Sequence, residues 1–436
     1  MTTNGAQVSM LRPQPLGIYS GAASALLLPE TGDPQQAAML AEVLAGDCSG
    51  ALPEAWRFFQ EAARGNLQSA YKLLQEARSH ADDGLHAYNL FVLSSFITEP
   101  ASQHFIDQPS ELLHKVRSRL TGDLRTLLEI AAFNVGLAAQ LPDCFELDGE
   151  LLAWALASAA TLELEHENFA EARQKLILAG QAAHGCSPLL EAILVAQAAL
   201  VAHNSLNLPT ALVHREYEAA IAIAQQQKLP GFLAELWTQL GMVLQQSADT
   251  NREGGLAAIR AYQAALQTGI HAETQPELYA DLHNNLGLAY LALPSSETSS
   301  QLRTGIAIQS FRAALAGLNT ESHAEMWARI SMNLANALQY APTSHPESNL
   351  IQAIEIYDQV LTIRTRAREP IAYAIVLLNQ ANALAHLGIF KPALEKAAEA
   401  YKLFQWHEQE EQALTARELV ERINDAIAAA NGTLTV

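Results

Sequence analysis

Two adjacent segments decide how this chain folds: residues 276–293 read PELYADLHNNLGLAYLAL, and residues 304–315 read TGIAIQSFRAAL. In both segments apolar residues recur every three or four positions, as they do on one face of an α-helix. Small residues at Gly287, Ala307 and Ala314 let two such helices pack closely. Two helices of this length cannot bury their apolar faces alone, so the sequence predicts neighbouring helices that complete the core.

The segment around residue 287 recurs three more times along the chain. The small residue of each copy stands at Gly241, Gly287, Ala335 and Ala381, so the copies are 46, 48 and 46 residues apart. A proline, which favours the first turn of a helix, stands eleven residues before three of these positions, at Pro230, Pro276 and Pro370. The second helices align as well, through Ala258 and Tyr262, Ala307 and Phe311, and Ala353 and Tyr357. Three independent markers in one register predict a repeated two-helix unit.

This pattern resembles the tetratricopeptide repeat (TPR), in the long-turn form found in bacterial signalling proteins and kinesin light chains. Trp237, Leu240 and Gly241 match the start of the family pattern, and residues 285–290 (NLGLAY) match the middle of its first helix. The resemblance covers roughly the last 200 residues. It implies an all-α fold, namely a right-handed superhelical α-solenoid of TPR-like helical hairpins, and a module that binds other proteins.

The turns inside three of the repeats are longer than the family pattern requires. In the last repeat twelve residues separate Ala381 from Ala393, whereas the corresponding steps in the three earlier repeats are 17, 20 and 18 residues. The additional residues are polar and rich in Ser, Thr, Pro and Gly, so we expect them to form surface loops. These loops are predicted at Ser247–Gly255, Pro294–Gly305 and Ala341–Asn349.

Sequence character divides the chain into four regions. Residues 1–33 lack helical periodicity and contain three prolines, which predicts an irregular N-terminal tail or strap. Residues 34–145 are predicted to be an N-terminal helical region with degenerate repeats, including one helix at Leu124–Leu141. Residues 146–405 are predicted to form the TPR-like repeat array. Residues 406–436 are predicted to be a C-terminal capping helix and tail, with an amphipathic helix at Glu408–Ala429.

Charge and cysteine content narrow the function. The formal net charge is −20, which disfavours binding to nucleic acid and to anionic membranes; a solvated acidic surface is the simplest explanation. The apolar run at residues 18–28 is too short to span a bilayer and lacks the features of a signal peptide. Cys48, Cys144 and Cys186 are widely spaced and form no disulfide framework. We therefore expect a cytoplasmic protein with buried free thiols.

Motifs of known chemistry are missing from the sequence. There is no pair of histidines at metal-binding spacing, no phosphate-binding loop with its lysine, and no Gly-x-Ser-x-Gly nucleophile elbow. The acidic pair Asp82 and Asp83 lacks the third carboxylate expected of a magnesium–diphosphate site. We therefore predict a protein that is not an enzyme and that needs no metal and no cofactor.

The resemblance also implies where a partner would bind. With the small residue counted as position eight, positions two, five, nine, twelve and thirteen of each first helix line the concave face in the family. Asn and Gln can both donate to and accept from a peptide backbone, and Met and Leu supply adaptable apolar contact. The candidate partner-binding residues are Asn284, Leu288, Arg329, Met332, Asn336, Gln339, Tyr340, Leu378, Asn382 and His386.

The role of the amides has two interpretations. Asn336 and Asn382 occupy equivalent positions in successive repeats and can form a ladder along a bound peptide; alternatively, they bond a neighbouring helix or water. Asn285, Asn333 and Asn379 stand where the family keeps Asn for packing, which favours a structural role. Arg329 has no other cation near it in the pattern, so a clamp for a C-terminal carboxylate is disfavoured.

These observations support a non-enzymatic scaffold, adaptor or assembly factor that holds a segment of another protein in a concave groove. Two alternatives stay open from the sequence. One is a regulatory sensor that responds to a peptide or small ligand, although residues 34–145 show no basic DNA-reading helix that would serve as its output. The other is a structural subunit of an enzyme complex, or an oligomer.

Overall fold

A computed structural model describes residues 21–29, 34–44, 50–77, 84–97, 108–227, 229–246, 252–293, 297–342 and 346–432. Regular secondary structure in these ranges is helical, which confirms the predicted all-α fold class. Contacts between residues divide the chain into two compact units, Met1–Trp237 and Thr238–Val436. This division by contacts does not test the four regions predicted from sequence character, which stay a prediction.

The first unit contains six shorter helices followed by longer helices. The shorter helices are α1 Gln36–Leu44, α2 Arg57–Ala63, α3 Leu67–Glu76, α4 Gly84–Phe96, α5 Pro109–Arg117 and α6 Gly122–Asn134. The longer helices are α7 Gly149–Glu165, α8 Phe169–Ala183, α9 Pro188–Asn204 and α10 Thr210–Gln225. The next helix, α11 Pro230–Gln246, contains the boundary between the two units.

The second unit continues the same alternation of helices. Its helices after α11 are α12 Arg252–Leu266, α13 Pro276–Ala292, α14 Glu297–Ala316, α15 Ala324–Gln339, α16 Pro346–Ile363, α17 Pro370–His386, α18 Phe390–Trp406 and α19 Glu410–Gly432. The helices α11, α13, α15 and α17 are called first helices below, and α12, α14, α16 and α18 second helices. The helices α13, α15 and α17 each pack against the second helix that follows, and Gly241 of α11 lies against Tyr262 of α12. Within each unit the chain is therefore an array of TPR-like helical hairpins.

Close approach inside each hairpin depends on the small residues that the repeat pattern identified. A Cβ atom added to Gly287 in α13 would lie 2.7 Å from Cε1 of Phe311 in α14, and one added to Gly241 would lie 2.5 Å from Cε1 of Tyr262. Ala335 and Ala381, at the equivalent positions, are fully buried. The aromatic ring of the second helix thus occupies the space that a larger side chain would need.

This contact predicts opposite effects for two glycine substitutions in neighbouring helices. Gly287→Ala should destabilise the chain by about 1–3 kcal/mol, because the new methyl group overlaps the buried ring of Phe311. Gly305→Ala in α14 meets no atom within 4 Å and should instead stabilise by about 0.5–1 kcal/mol, since alanine has the higher helix propensity. Chemical denaturation of both variants measures the two signs. Equal effects would contradict the proposed packing.

The predicted surface loops inside the repeats are largely wrong, because much of each insertion is helical. α14 begins at Glu297, so Glu297–Gly305 extends the second helix, and α12 and α16 likewise begin within the predicted loops. The buried Thr304 and a hydrogen bond from the Arg303 guanidinium to the Leu293 carbonyl attach the extra turns of α14 to α13. Tertiary contacts of this kind outweigh the low helix propensity of a Ser- and Thr-rich segment. The other loop residues, 247–251, 294–296 and 343–345, lie outside the described ranges.

The predicted helix at Leu124–Leu141 is too long at its C-terminal end. α6 stops at Asn134, where Gly136 adopts a left-handed conformation with φ of 74°. The backbone N–H of Leu137 then donates to the carbonyl of Ala132 at 2.8 Å, which satisfies one of the last helical carbonyls. A glycine two residues after a helix end is the usual signal for this termination, and the apolar residues after it concealed the signal.

Residues 21–29, which we call the strap, lie in the core of the first unit. Gly21–Ser24 form a 3-10 turn, and the side chains of Ala25, Leu26, Leu27 and Leu28 are buried. They share one apolar cluster with α1 to α6 and with residues of the first long helices, including Trp154 and Leu189. Of the two forms predicted for residues 1–33, the strap describes this part of the segment.

Candidate functional site

The candidate site lies on the first helices of the second unit, where the chain carries a row of asparagines. We define the amide row as Asn284, Asn333, Asn336, Asn379 and Asn382. Asn284 belongs to α13, Asn333 and Asn336 to α15, and Asn379 and Asn382 to α17. The 3.6-residue period of a helix places residues three apart on one face, so α15 and α17 each present two amides together.

Side-chain hydrogen bonds of the amide row join α15 to α13 and α17 to α15. Asn333 Nδ2 donates to Asn284 Oδ1 at 2.8 Å, and Asn379 Nδ2 donates to Asn336 Oδ1 at 3.2 Å. The predicted structural role of Asn333 and Asn379 therefore has a physical basis. Asn382 Nδ2 donates to the Tyr340 hydroxyl at 2.9 Å. These bonds are those of the second interpretation, in which the amides bond a neighbouring helix; a ladder of Asn336 and Asn382 along a bound peptide stays a prediction.

Buried tyrosines of the second helices form hydrogen bonds with amide side chains of the first helices. The Tyr357 hydroxyl lies 2.7 Å from Asn336 Oδ1 and 3.1 Å from Gln339 Oε1, and the Tyr262 hydroxyl donates to Gln245 Oε1 at 2.9 Å. Burial raises the pKa of both tyrosines above its ordinary value, so their hydroxyls keep the proton that they donate. The tyrosines thereby hold the carbonyl end of each amide toward the core.

Two of the predicted site residues are buried in the core and are removed from the candidate set. The Asn284 side chain is 1% exposed, and its amide is used by Asn333 and Asn285. The Met332 side chain is 6% exposed and packs in the apolar cluster of the second unit. The side chains of Asn284 and Met332, at position five of the family pattern, therefore point closer to the neighbouring helix than the resemblance implies. A small displacement of this kind cannot be read from spacing alone.

The other predicted residues lie at the surface or partly exposed. Leu288 and Leu378 are partly buried against apolar clusters, and His386 is exposed at the end of α17. Arg329 is exposed and forms an ion pair with Asp281 at 2.6 Å, which joins α15 to α13. The predicted isolated cation is therefore neutralised by an acidic residue of the preceding first helix, and this pairing leaves less positive charge for a ligand carboxylate.

Exposed large apolar side chains accompany the amides on the described part of the second unit's first helices. They are Met242, Leu291, Tyr340 and Ile375, one each from α11, α13, α15 and α17, and Tyr340 is 67% exposed. All four stand at positions that the family pattern assigns to the concave face. Apolar side chains at such spacing can anchor a bound segment.

An acidic pair lies at the N-terminal ends of two first helices. Glu325 is in the first turn of α15, and Glu369 directly precedes α17. Loss of hydration and then the neighbouring Glu325 carboxyl raise the pKa of Glu369, while Arg364 and Arg368 oppose the shift. Arg364 also pairs with Glu325 at 3.9 Å. The two carboxylates therefore repel each other once both are ionised.

This pair predicts a pH-dependent gain of stability for Glu369→Gln. A carboxyl whose pKa is raised in the folded state stabilises the fold below its unfolded pKa, and that contribution is lost as pH rises through the folded pKa. The glutamine variant should therefore match the wild-type chain near pH 3.5 and unfold at a higher temperature at pH 7. Thermal unfolding at the two pH values measures the difference. The control is the corresponding mutation to Gln of Glu355, an exposed carboxylate of α16.

The described residues give no sign of a metal centre or a membrane span. No group of three or more His, Cys, Asp or Glu side chains that could hold a metal ion occurs among them. No helix in the described ranges is sufficiently long and apolar to cross a bilayer. Cys144 and Cys186 are thiols that form no disulfide, and Cys186 is exposed, contrary to the buried position expected of it. Cys48 lies outside the described ranges.

Comparisons with known proteins give solved structures of low similarity. No protein-family model matches the chain, and no curated protein matches it. Among solved structures, the apo form of RapI is 11% identical, with a TM-score of 0.47 over 89% of this chain and 99% of that one. Aspartyl phosphate phosphatase F from Bacillus subtilis is 14% identical, with a TM-score of 0.41 over 86% and 96% of the two chains. A Rap protein complexed with competence and sporulation factor is 14% identical, with a TM-score of 0.38 over 90% and 99%.

The tyrosine supports of the amides were missed by sequence reasoning, although the sequence contains their signal. Position twelve of successive first helices holds Gln245, Leu291 and Gln339, and the aromatic residue of the matching second helices is Tyr262, Phe311 and Tyr357. Glutamine thus accompanies tyrosine, and leucine accompanies phenylalanine. Matching polarity at two positions of one repeat indicates a contact between them, as the structure shows for both glutamines.

Proposed function

We propose that the second unit binds an extended segment of another protein along the first helices α13, α15 and α17. The observation that carries this proposal is the row of exposed apolar side chains, Leu291, Tyr340 and Ile375, at the positions where TPR-like folds meet their partners. Isolated exposed apolar residues are ordinary, but here one recurs on each of three successive repeats, and we refer to these three residues as the strip. The chain acts by binding, as a scaffold, adaptor or assembly factor, and not as an enzyme.

The amides supply the polar part of the same surface. Asn336 uses its oxygen for Tyr357 and Asn379, so its NH2 group is directed to no described acceptor. Asn382 uses its nitrogen for Tyr340, so its oxygen stays open to a donor. One donor and one acceptor on successive repeats match the alternating N–H and C=O groups of an extended peptide. The resident compartment in this proposal is the cytoplasm, which keeps free thiols reduced.

Site-specific photo-crosslinking tests the surface directly. A photoreactive amino acid in place of Tyr340 should crosslink one protein segment in cells of the host, because the side chain lies in the middle of the strip. The control is the same amino acid in place of Leu302, which is 69% exposed but lies on the second helix α14. Crosslinking at residue 302 alone, or equally at both positions, would place the partner elsewhere.

The captured segment then permits a quantitative prediction. As a synthetic peptide it should bind Tyr340→Ala/Asn382→Ala about 10- to 100-fold more weakly than wild type, since an aromatic anchor and a hydrogen-bond acceptor are both lost. Gln309→Ala/Glu355→Ala, at exposed positions of the second helices, should bind with unchanged affinity. Isothermal calorimetry measures the three constants. A fixed stoichiometry on co-purification would favour a structural subunit, and a substoichiometric ratio would favour an adaptor.

A further inference from the structure

The strap of the first unit is held in the manner of a bound peptide. Among the described contacts, four hydrogen bonds join its main chain to side chains of the helices around it. Leu27 N–H donates to Asn89 Oδ1 at 2.9 Å, while Asn89 Nδ2 donates to the Leu27 carbonyl at 2.8 Å. One asparagine therefore satisfies both backbone groups of one residue.

Two more hydrogen bonds join buried side chains to the main chain of the strap. The Tyr88 hydroxyl donates to the Ala25 carbonyl at 2.9 Å, and Trp56 Nε1 donates to the Pro29 carbonyl at 2.8 Å. Together with Asn89, these side chains bond main-chain groups of residues 25, 27 and 29. We define the strap groove by Trp56, Tyr88 and Asn89.

Two helices position the side chains of the strap groove. Trp56 stands at the start of α2, and Tyr88 and Asn89 are consecutive in α4. All three are fully buried, as are Leu26, Leu27 and Leu28 of the strap. The side chains of the strap pack in the apolar cluster of the first unit, and polar side chains of α2 and α4 bond its main chain. Domains that bind extended peptides use the same two kinds of contact.

We propose that the strap groove is a peptide-binding site, occupied by the chain's own residues 21–29, that accepts an extended alanine- and leucine-rich segment of another chain in their place. The main-chain bonds do not depend on which side chains the occupant carries. The pockets restrict the occupant to small residues followed by consecutive leucines, as in the strap sequence AASALLLP at residues 22–29. This site belongs to the first unit and does not depend on the function proposed for the second.

Covalent attachment keeps the strap in its groove when a free peptide competes with it. A tethered segment has an effective concentration in the millimolar range for a short link, so a free peptide competes poorly with it. Cutting the link between strap and α1 removes this advantage without removing any residue. The full chain with a protease site inserted after residue 31 is therefore the protein to test.

The experiment measures uptake of a fluorescent peptide of residues 20–30 by fluorescence anisotropy before and after cleavage. We expect saturable uptake and release of the N-terminal fragment only after cleavage. A peptide methylated on the Leu27 nitrogen should bind at least tenfold more weakly, because it cannot donate to Asn89. Ser94→Ala, which removes a buried hydroxyl bonded only to the backbone of the same helix, is the matched control and should take up the peptide normally.

Three results would overturn the proposal. The cleaved chain can lose its helical circular dichroism, which would make the strap an integral part of the core. The fragment can stay bound while excess peptide fails to replace it over days, which would show that the groove does not exchange its occupant. Equal binding of the methylated and unmethylated peptides would show that the main chain is not recognised.

Discussion

Replacing Phe311 by alanine is expected to lower the free energy of unfolding by about 3–5 kcal/mol. The Phe311 ring is fully buried between α13 and α14, and it lies directly over Gly287. Its other neighbours in the apolar cluster include Ala280, Ala307 and Ala314. Alanine side chains cannot extend into the space that the ring leaves, so the cavity persists and the cost lies at the upper end of the range for large-to-small substitutions.

A matched control lies on the same helix. Leu302 is a large apolar residue of α14 that is 69% exposed, and Leu302→Ala should change the free energy of unfolding by about 0.5 kcal/mol or less. Urea denaturation followed by circular dichroism compares the two variants. Repeat arrays can unfold in more than one step, so the unfolding midpoint and the slope are both recorded. Similar losses for the two variants would mean that Phe311 does not form the centre of the hairpin.

The second large effect is expected for Asn89→Leu in the first unit. Leucine has the same number and branching of side-chain heavy atoms as asparagine but bonds neither the N–H nor the carbonyl of Leu27, and both groups are buried with the strap. Each unsatisfied buried group costs about 1–3 kcal/mol, so the variant should lose about 2–6 kcal/mol of stability. Thermal unfolding in parallel with Ser95→Ala, whose hydroxyl bonds its own helix, isolates the contribution of the strap. A loss of less than about 1 kcal/mol would contradict the pairing.

The hairpins of the second unit could be predicted from the sequence because each depends on a few short-range constraints. A proline begins a helix at Pro230 and Pro276, and eleven residues later a glycine admits an aromatic ring. These constraints recur at the same positions of each repeat, so a wrong helix assignment in one repeat is revealed by comparison with the others. The predicted helix through residues 135–141 had no such second copy, and a single glycine at 136 decided its end.

The exposure of the candidate residues was predictable only in part. Tyr340 and His386 are exposed and Asn382 is half-buried, because a period of 3.6 residues separates the core side of a helix from its outer side. Asn284 and Met332 lie near the border between the two sides, where a rotation of a few degrees decides whether a side chain is buried. The strap groove was not predictable, since its bonds join residues 27 to 63 positions apart.

The tyrosine–glutamine contacts also limit how this chain can change. An apolar residue in place of Gln245 would leave the buried Tyr262 hydroxyl without its acceptor, whereas the Tyr357 hydroxyl would keep Asn336 after loss of Gln339. The Phe311 and Leu291 repeat shows the apolar version of the same pair. A change from the polar to the apolar pair needs two substitutions, and a chain that carries only one of them is less stable. The pairs therefore also fix the register of the two helices, because a shift of one residue along either helix would separate every matched pair at once.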